Sequence, residues 1–363
     1  MSSHHVKTSP DDTHRRRLQG LNGFPDQWVS AIRSRLAVRL LSGNLVNRLD
    51  PSIPETIDSR GFGSPCINAI TIDVEDYFQV SAFDDYVSRD QWGSFESRVC
   101  QNTDRLLEIF AEHNTIGTFF VLGWVAERYP KLVRRIASAG HEIASHGYAH
   151  RLVYTQTARE FRDDLRRAKR VIEDACGVQV CGYRAPSYSI TRRSLWALDV
   201  LLDEGYSYDA SIYPIHHDRY GIPDAPRHAF QVAADRGGMW ELPGSTTQLA
   251  GKNLPIGGGG YFRLLPYTWT RYGIQTVNAQ EQRPVVFYLH PWEIDPDQPR
   301  LRASAISRLR HYRNLHKTEP RLRRLLSEFK FHTARSLLER EAVAAIEQMS
   351  SPSATWPVPA APA

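Results

Sequence analysis

Ile67-Asn-Ala-Ile-Thr-Ile72, running directly into Asp73-Val74-Glu75-Asp76, is the stretch on which the fold turns. A short run that is apolar almost throughout, rather than alternating, suits a strand buried on both faces, as in a parallel sheet covered by helices. Further short runs of the same kind stand at residues 117–122, 141–144, 178–182 and 284–289. Helical patterns with clear punctuation separate them. Thr157 and Glu160 make a capping box for a helix running toward Cys176, with Gly177 as its stop. Pro130 suits the first turn of a helix ending at Gly140, and Thr191 opens another ending at Gly205. Alternating strands and helices predict an α/β chain built on a parallel sheet or barrel.

The chain has 363 residues, enough for one large domain of α/β-barrel size or two ordinary ones. Its net charge of +5 comes from Arg-rich patches near both ends, which favours an anionic neighbour in general, a glycan or a membrane surface as much as nucleic acid. Nothing in the pattern calls for a nucleic-acid partner. Cys66, Cys100, Cys176 and Cys181 are too sparse for a disulfide scaffold and read as buried free thiols. The first residues lack the apolar core of a secretory signal peptide, so a cytoplasmic location is expected, including the inner face of the membrane. Residues 29–49 are interrupted by Arg33, Arg35, Arg39, Asn44 and Arg48 and cannot span a bilayer, though a surface or interfacial helix with peripheral membrane contact fits them. Residues 215–272, rich in Gly, Pro and aromatics, read as long loops or hairpins that shape a binding site. An Arg-rich helical stretch covers 301–347, and the Pro/Ala/Ser tail at 348–363 reads as disordered, as in part does the basic extension at 1–65.

The chemistry lies in where the polar residues fall. One apolar run ends in Asp73, Glu75 and Asp76, another in His146, a third in Arg184 and a fourth in His290. In β/α barrels the C-terminal rim of the strands is where active sites are assembled. His146 and His150 are four residues apart, a spacing that places both imidazoles on one face of a helical turn within reach of one ion. Two neutral imidazoles and one carboxylate leave positions open for water and substrate, the arrangement of a catalytic metal. Residues i and i+2 of a strand share a face, so Asp73 and Glu75 point to the mouth together; Glu75 is assigned to the metal and Asp73 to base catalysis, with Asp76 as a substitute ligand. Trp292, after His290 and Pro291, offers a flat face for a sugar ring, and Trp240, Tyr261 and Phe262 are further glycan-contact candidates. His216 and His217 suit either a second metal or a solvated loop, and Glu241 is equally ambiguous.

Together these segments resemble the polysaccharide deacetylase family, also called the NodB-homology or carbohydrate esterase 4 family. Its motifs here are Thr71-Ile-Asp73-Val-Glu75-Asp76, Ser145-His146-Gly-Tyr-Ala-His150, Arg184-Ala-Pro186-Ser-Tyr188 and Tyr288-Leu-His290-Pro-Trp292. Order and spacing agree over roughly residues 66–295, and Gly117-Thr-Phe-Phe-Val-Leu-Gly123 is similar too. The family's usual first motif, Thr-Phe-Asp-Asp-Gly, has adjacent aspartates, whereas this chain inserts Val74 and uses Glu75. Asp-Val-Glu-Asp-Tyr-Phe78, with Asn253-Leu-Pro-Ile-Gly-Gly-Gly-Gly-Tyr-Phe-Arg263, resembles the subgroup found with bacterial exopolysaccharide and exosortase gene clusters, whose C-terminal extension would cover about 257–331.

The resemblance implies a distorted (β/α) barrel of about seven strands, with long loops and a C-terminal helical extension, the catalytic domain occupying 66–300. It implies one divalent ion, zinc with cobalt or nickel as alternatives, and removal of N-acetyl groups from amino sugars of a polysaccharide. Asp73 would take the water proton, Arg184 would pair with Asp73, His290 would protonate the leaving nitrogen, and a backbone N–H near Tyr188 would serve as an oxyanion donor. Asp209 is the nearest match to the motif that tunes the catalytic His. A catalytically silent glycan-binding or assembly protein, or a hydrolase of another amide or of an O-acetyl ester, fits the same fold.

Overall fold

The computed structural model describes residues 66–234, 237–347 and 355–357. The strands are β1 (Asn68–Val74), β2 (Thr118–Val121), β3 (Glu142–Ser145), β4 (Gly182–Tyr183), β5 (Tyr208–Asp209), β6 (Phe230–Ala234), β7 (Gly237–Glu241), β8 (Thr246–Leu249), β9 (Lys252–Pro255), β10 (Val286–Leu289), β11 (Phe331–His332) and β12 (Thr355–Pro357). The helices are α1 (Val99–Glu112), α2 (Gly123–Arg128), α3 (Pro130–Ser138), α4 (Ala158–Cys176), α5 (Trp196–Asp203), α6 (Gly259–Leu264), α7 (Tyr267–Gln280), α8 (Ala305–Tyr312), α9 (Leu315–Glu328) and α10 (Ala334–Glu347). The main sheet runs β10-β1-β2-β3-β4-β5-β7-β6-β12, with β11 beside β1. From β10 to β7 every neighbouring pair is parallel, which gives the distorted barrel of about seven strands. On the side of β10 away from β1 the chain is met by residues outside the named strands: Val286 N–H donates to Ser245 Oγ at 2.7 Å and Tyr288 N–H to Gly257 O at 2.6 Å.

Local signals explain the elements. Thr157 and Glu160 form the reciprocal capping box of α4, and Gly177, at φ 71°, closes it in the left-handed conformation. Gly140 at φ 83° and Gly205 at φ 74° follow the ends of α3 and α5. Strand parity divides the core. Ile70, Ile72 and Val74 pack outward against Leu106, Ile109 and Phe110 of α1. Ala69 faces inward with Phe120, Ala144, Tyr208, Ala210 and Trp240.

The barrel has a floor. Leu337, Leu338, Ala342 and Val343 of α10 pack on that inward-facing cluster. The first N–H groups of α10, which have no partner within the helix, are taken by the sheet: Ala334 N–H donates to Thr118 Oγ1 at 2.8 Å and Arg335 N–H to Glu142 Oε2 at 3.1 Å. With β11 paired to β1 and α10 packed beneath the strands, the C-terminal part of the helical extension at 301–347 joins the barrel. Leu338, fully buried, is therefore a stability residue. Leu338→Ala should lower the unfolding free energy by about 3 kcal/mol, measured by urea denaturation.

Several expectations change. Residues 215–272 hold the hairpins β6/β7 and β8/β9, as read, but α6 and α7 also begin there. Gly257-Gly258-Gly259-Gly260 is not slack loop: a Cβ on Gly258 would lie 2.0 Å from Tyr288 O, so glycine lets the chain press on β10 before turning into α6. In the tail, Thr355–Pro357 pair with β6, whose outer edge offers open ladder positions, so these residues are strand rather than disordered. The extension at 1–65, the helix at 29–49 and the rest of the tail lie outside the described residues. All four cysteines are free, although only Cys181 is fully buried. No helix among the described residues is long and apolar enough to cross a membrane.

Candidate active site

Glu75, His146 and His150 form a buried group whose ligand atoms all lie within 4.8 Å of one another. Glu75 follows the end of β1, and His146 the end of β3. The two imidazoles do not share a helix face, as their spacing had implied. The chain turns at Gly147 (φ 74°), and His150 is itself left-handed at φ 50°, which brings the ring centroids to 5.4 Å. Tyr148 N–H pins this turn through Asp164 Oδ2 at 2.8 Å.

Each ligand is held from behind. His146 Nδ1 donates to the Arg184 carbonyl at 2.8 Å, which leaves Nε2 with its lone pair toward the site. His150 Nδ1 lies 3.4 Å from Ser81 Oγ, which is in turn 2.8 Å from Ser187 Oγ. Trp292 Nε1 donates to Glu75 Oε1 at 3.2 Å. Burial pushes the Glu75 carboxyl up, but His150, His290 and His146 together outweigh it and hold the group below the usual carboxylate range. Burial, against weaker opposition, pushes His146 down to about 4, so it stands neutral, the form that ligates. The residues fit a divalent cation on one further observation: buried Glu75 Oε2 sits 2.8 Å from His150 Nε2 yet makes no hydrogen bond. An anionic oxygen buried beside two imidazoles is the donor set that a divalent cation takes.

Asp76 is not a substitute ligand. Its carboxylate accepts the N–H groups of Tyr77, Arg98 and Val99 and the Ser97 hydroxyl, which ties the end of β1 to the start of α1.

Asp73 points into the barrel. Its Oδ1 accepts from Arg184 Nη1 at 2.8 Å, and its Oδ2 lies 3.8 Å from His290 Nε2. Arg184 also donates to Thr71 Oγ1 at 2.7 Å and Ala210 O at 3.2 Å, with its guanidinium 4.2 Å above the Phe120 ring. His290 Nε2 stands 3.6 Å from Glu75 Oε1, and its Nδ1 donates to Glu293 Oε1 at 2.6 Å. Glu293 is in turn gripped by Arg263 Nε at 2.5 Å. Burial would lower the His290 pKa, but Glu75, Glu293 and Asp73 together raise it to about 9. His290 remains partly open to solvent, while the three metal-site residues are sealed.

The structure thus brings together Asp73, Glu75, His146, His150, Arg184 and His290. It reassigns three others. The residue behind His290 is Glu293, not Asp209. The signal was present in His290-Pro-Trp-Glu293, a capping-box spacing with Pro at the first position of a short turn. Asp209 instead takes the Ser211 hydroxyl and neighbours Glu241, its register partner on β7; burial, and for Glu241 the Asp209 charge as well, raises both carboxyls. Trp292 is 3% exposed and stacked 4.0 Å from His311 and 5.3 Å from His290, so it positions Glu75 rather than meeting a sugar.

Tyr188 is left-handed (φ 53°), and its own N–H donates to Ala185 O at 3.1 Å. Its ring packs with Tyr213, Tyr220 and Tyr288, and its buried hydroxyl has no hydrogen-bond partner. Trp240 and Phe262 are core, while Tyr261 joins the tyrosine cluster. His217 stacks 3.8 Å from Tyr220 and pairs with Asp218, and among the described residues Glu75, His146 and His150 are the one group suited to a metal.

A family model described as polysaccharide deacetylase matches residues 81–205, and one described as a domain of unknown function, DUF3473, matches 210–339. The chain is 32% identical over 114 residues to a peptidoglycan deacetylase of Helicobacter pylori, covering 31% of this chain and 37% of that protein. It is 35% identical over 115 residues to a chitooligosaccharide deacetylase of Sinorhizobium fredii, covering 31% and 49%. The chain therefore spans less than half the length of these curated relatives. A solved structure described as a polysaccharide deacetylase from Mycobacterium smegmatis shares the fold, with a TM-score of 0.51 and 23% identity over 85% of this chain and 99% of that one. An allantoinase does so at a TM-score of 0.51 and 14% identity, over 84% and 100%. The half-barrel, the motifs in order at its rim and these relatives lead to one statement: the chain carries a polysaccharide deacetylase domain of the NodB-homology, carbohydrate esterase 4 kind.

Proposed function

We propose that this protein is a metal-dependent hydrolase that removes N-acetyl groups from the amino sugars of a bacterial exopolysaccharide. One observation carries the reading: Asp73, His290 and Glu75 are linked by gaps of 3.8 Å and 3.6 Å, so a base, an acid and a metal ligand meet in one place. A silent binding module has no use for that convergence. The relatives are named for peptidoglycan and chitooligosaccharide, both of which carry N-acetyl amino sugars, and the exopolysaccharide substrate follows from the motif resemblance.

An amide is a weak electrophile with a poor leaving group. A divalent ion, with zinc the first choice and cobalt or nickel as alternatives, held by Glu75, His146 and His150 would make its bound water acidic and polarise the acetyl carbonyl. The protein's own groups do the rest. Arg184 fixes Asp73 Oδ1 and leaves Oδ2 to accept the proton of the attacking water. As the C–N bond breaks, His290 Nε2 delivers a proton to the departing nitrogen, giving acetate and a free amine. Glu293, steadied by Arg263, holds Nδ1 and so orients the ring.

The test is acetate release from N-acetylhexosamine oligomers and polysaccharide precursors by zinc-reconstituted protein. If no acetate appears although metal is bound, the reading fails. Glu293→Gln should keep metal affinity and lower kcat by about 10- to 100-fold, with KM little changed. Unaltered kcat would remove Glu293 from the mechanism.

A further inference from the structure

We propose that α8 and the segment leading into it form a docking face for a membrane surface bearing anionic phospholipid. Residues 298–318 contain Arg300, Arg302, Arg308, Arg310, Arg313 and Lys317 and not one Asp or Glu. All six cations are exposed, and Arg302, Arg308, Arg310 and Arg313 pair with no carboxylate among the described residues. Such a block attracts an anionic surface.

Charge alone would suit any polyanion, and a second observation selects a bilayer. Ile306 and Leu309, three residues apart on one helix face, are 64% and 56% exposed, the two most exposed large apolar side chains among the described residues. They stand between the arginines. A short amphipathic face of this kind sinks its apolar side chains to the boundary of headgroups and acyl chains while its cations meet phosphates. A soluble anionic glycan gives Ile306 and Leu309 nothing to bury against. Beside them a shallow groove of about 560 Å³, lined by Arg300, Ala305, Arg308, Leu309, Tyr312 and Arg313, has room for a phosphate headgroup.

The opposite face of α8 is committed to the active site. His311 stacks 4.0 Å from Trp292, which holds Glu75, and the helix packs on Ser81–Phe83, whose Ser81 touches His150. The docking face and the mouth therefore share one rim, and a protein resting on a bilayer by α8 keeps its site beside glycans carried on lipid.

The experiment is co-sedimentation of the full chain with vesicles of phosphatidylcholine alone and of phosphatidylcholine with phosphatidylglycerol, at physiological salt. The expected result is pelleting with the anionic vesicles only. It should weaken about tenfold or more in Ile306→Asp/Leu309→Asp and in Arg302→Glu/Arg308→Glu. Thermal melting controls for folding in both variants. No pelleting by the wild-type chain overturns the proposal, as does binding that both variants retain, which would place the contact elsewhere. Loss in the arginine variant with full retention in the Ile306/Leu309 variant overturns it too, because a polyanion site rather than a bilayer contact then remains.

Discussion

Asp73→Asn should lower kcat about 10³-fold while zinc still binds, because removal of a positioned general base forfeits roughly that factor. The substitution keeps the size of the side chain and the three metal ligands and abolishes only the proton acceptor. It has a second effect that must be measured with the first. Arg184 is 1% exposed, and its guanidinium would face a neutral amide in place of a carboxylate, leaving a buried cation unpaired. Breaking one partner of such a pair costs on the order of 3–5 kcal/mol. Turnover is therefore compared at a temperature where urea titration shows the variant fully folded. Activity near wild type under those conditions would show that Asp73 is a structural partner of Arg184 and not the base.

His146→Ala should abolish both zinc-dependent activity and zinc-dependent stabilisation. A ligand that binds only the native state stabilises it by RT ln(1 + [L]/Kd), about 4 kcal/mol at a thousandfold excess over Kd. The wild-type melting transition should rise accordingly when zinc is added. With two of three ligands left, the variant should show almost no rise, and calorimetric titration should find at least about a thousandfold loss of affinity. His146 is the sharper choice over His150, because His150 already faces Glu75 Oε2 at 2.8 Å and its removal also takes away that oxygen's nearest neighbour. Full zinc stabilisation of His146→Ala would end the metal assignment.

The barrel and half of its site could be read from the chain because they rest on local rules. Thr157, Glu160 and Gly177 mark a helix by capping chemistry that needs no tertiary partner. Asp73, His146, Arg184 and His290 end runs whose apolarity already marks buried strands. What escaped the reading depends on contacts distant in sequence. β5 is a two-residue strand, too short to show a period, and exists because its neighbours offer ladder positions. Trp292 looked like a sugar platform because exposure is not written in a sequence, and His311, which covers it, comes from α8. Glu293 lay within a quoted motif, but only the Arg263 contact from α6 marks it as the support of His290 rather than a helix-start acid. The spacing of His146 and His150 picked out two residues that do stand together, but through a different geometry, since Gly147 makes a turn where a helix face had been assumed.

One residue, Arg184, has a consequence for how the site tolerates motion. Its side chain fixes Asp73, and its own carbonyl fixes His146. Asp73 and His146 thus share one anchor just past the end of β4, besides the ladder that joins their strands through β2. Asp73 is held through the guanidinium and His146 through the carbonyl of this one residue. The corresponding thermodynamic signature is non-additivity: disturbance at Asp73 and disturbance at His146 travel through one shared anchor, and a double-mutant cycle between the two positions should close with a large coupling energy.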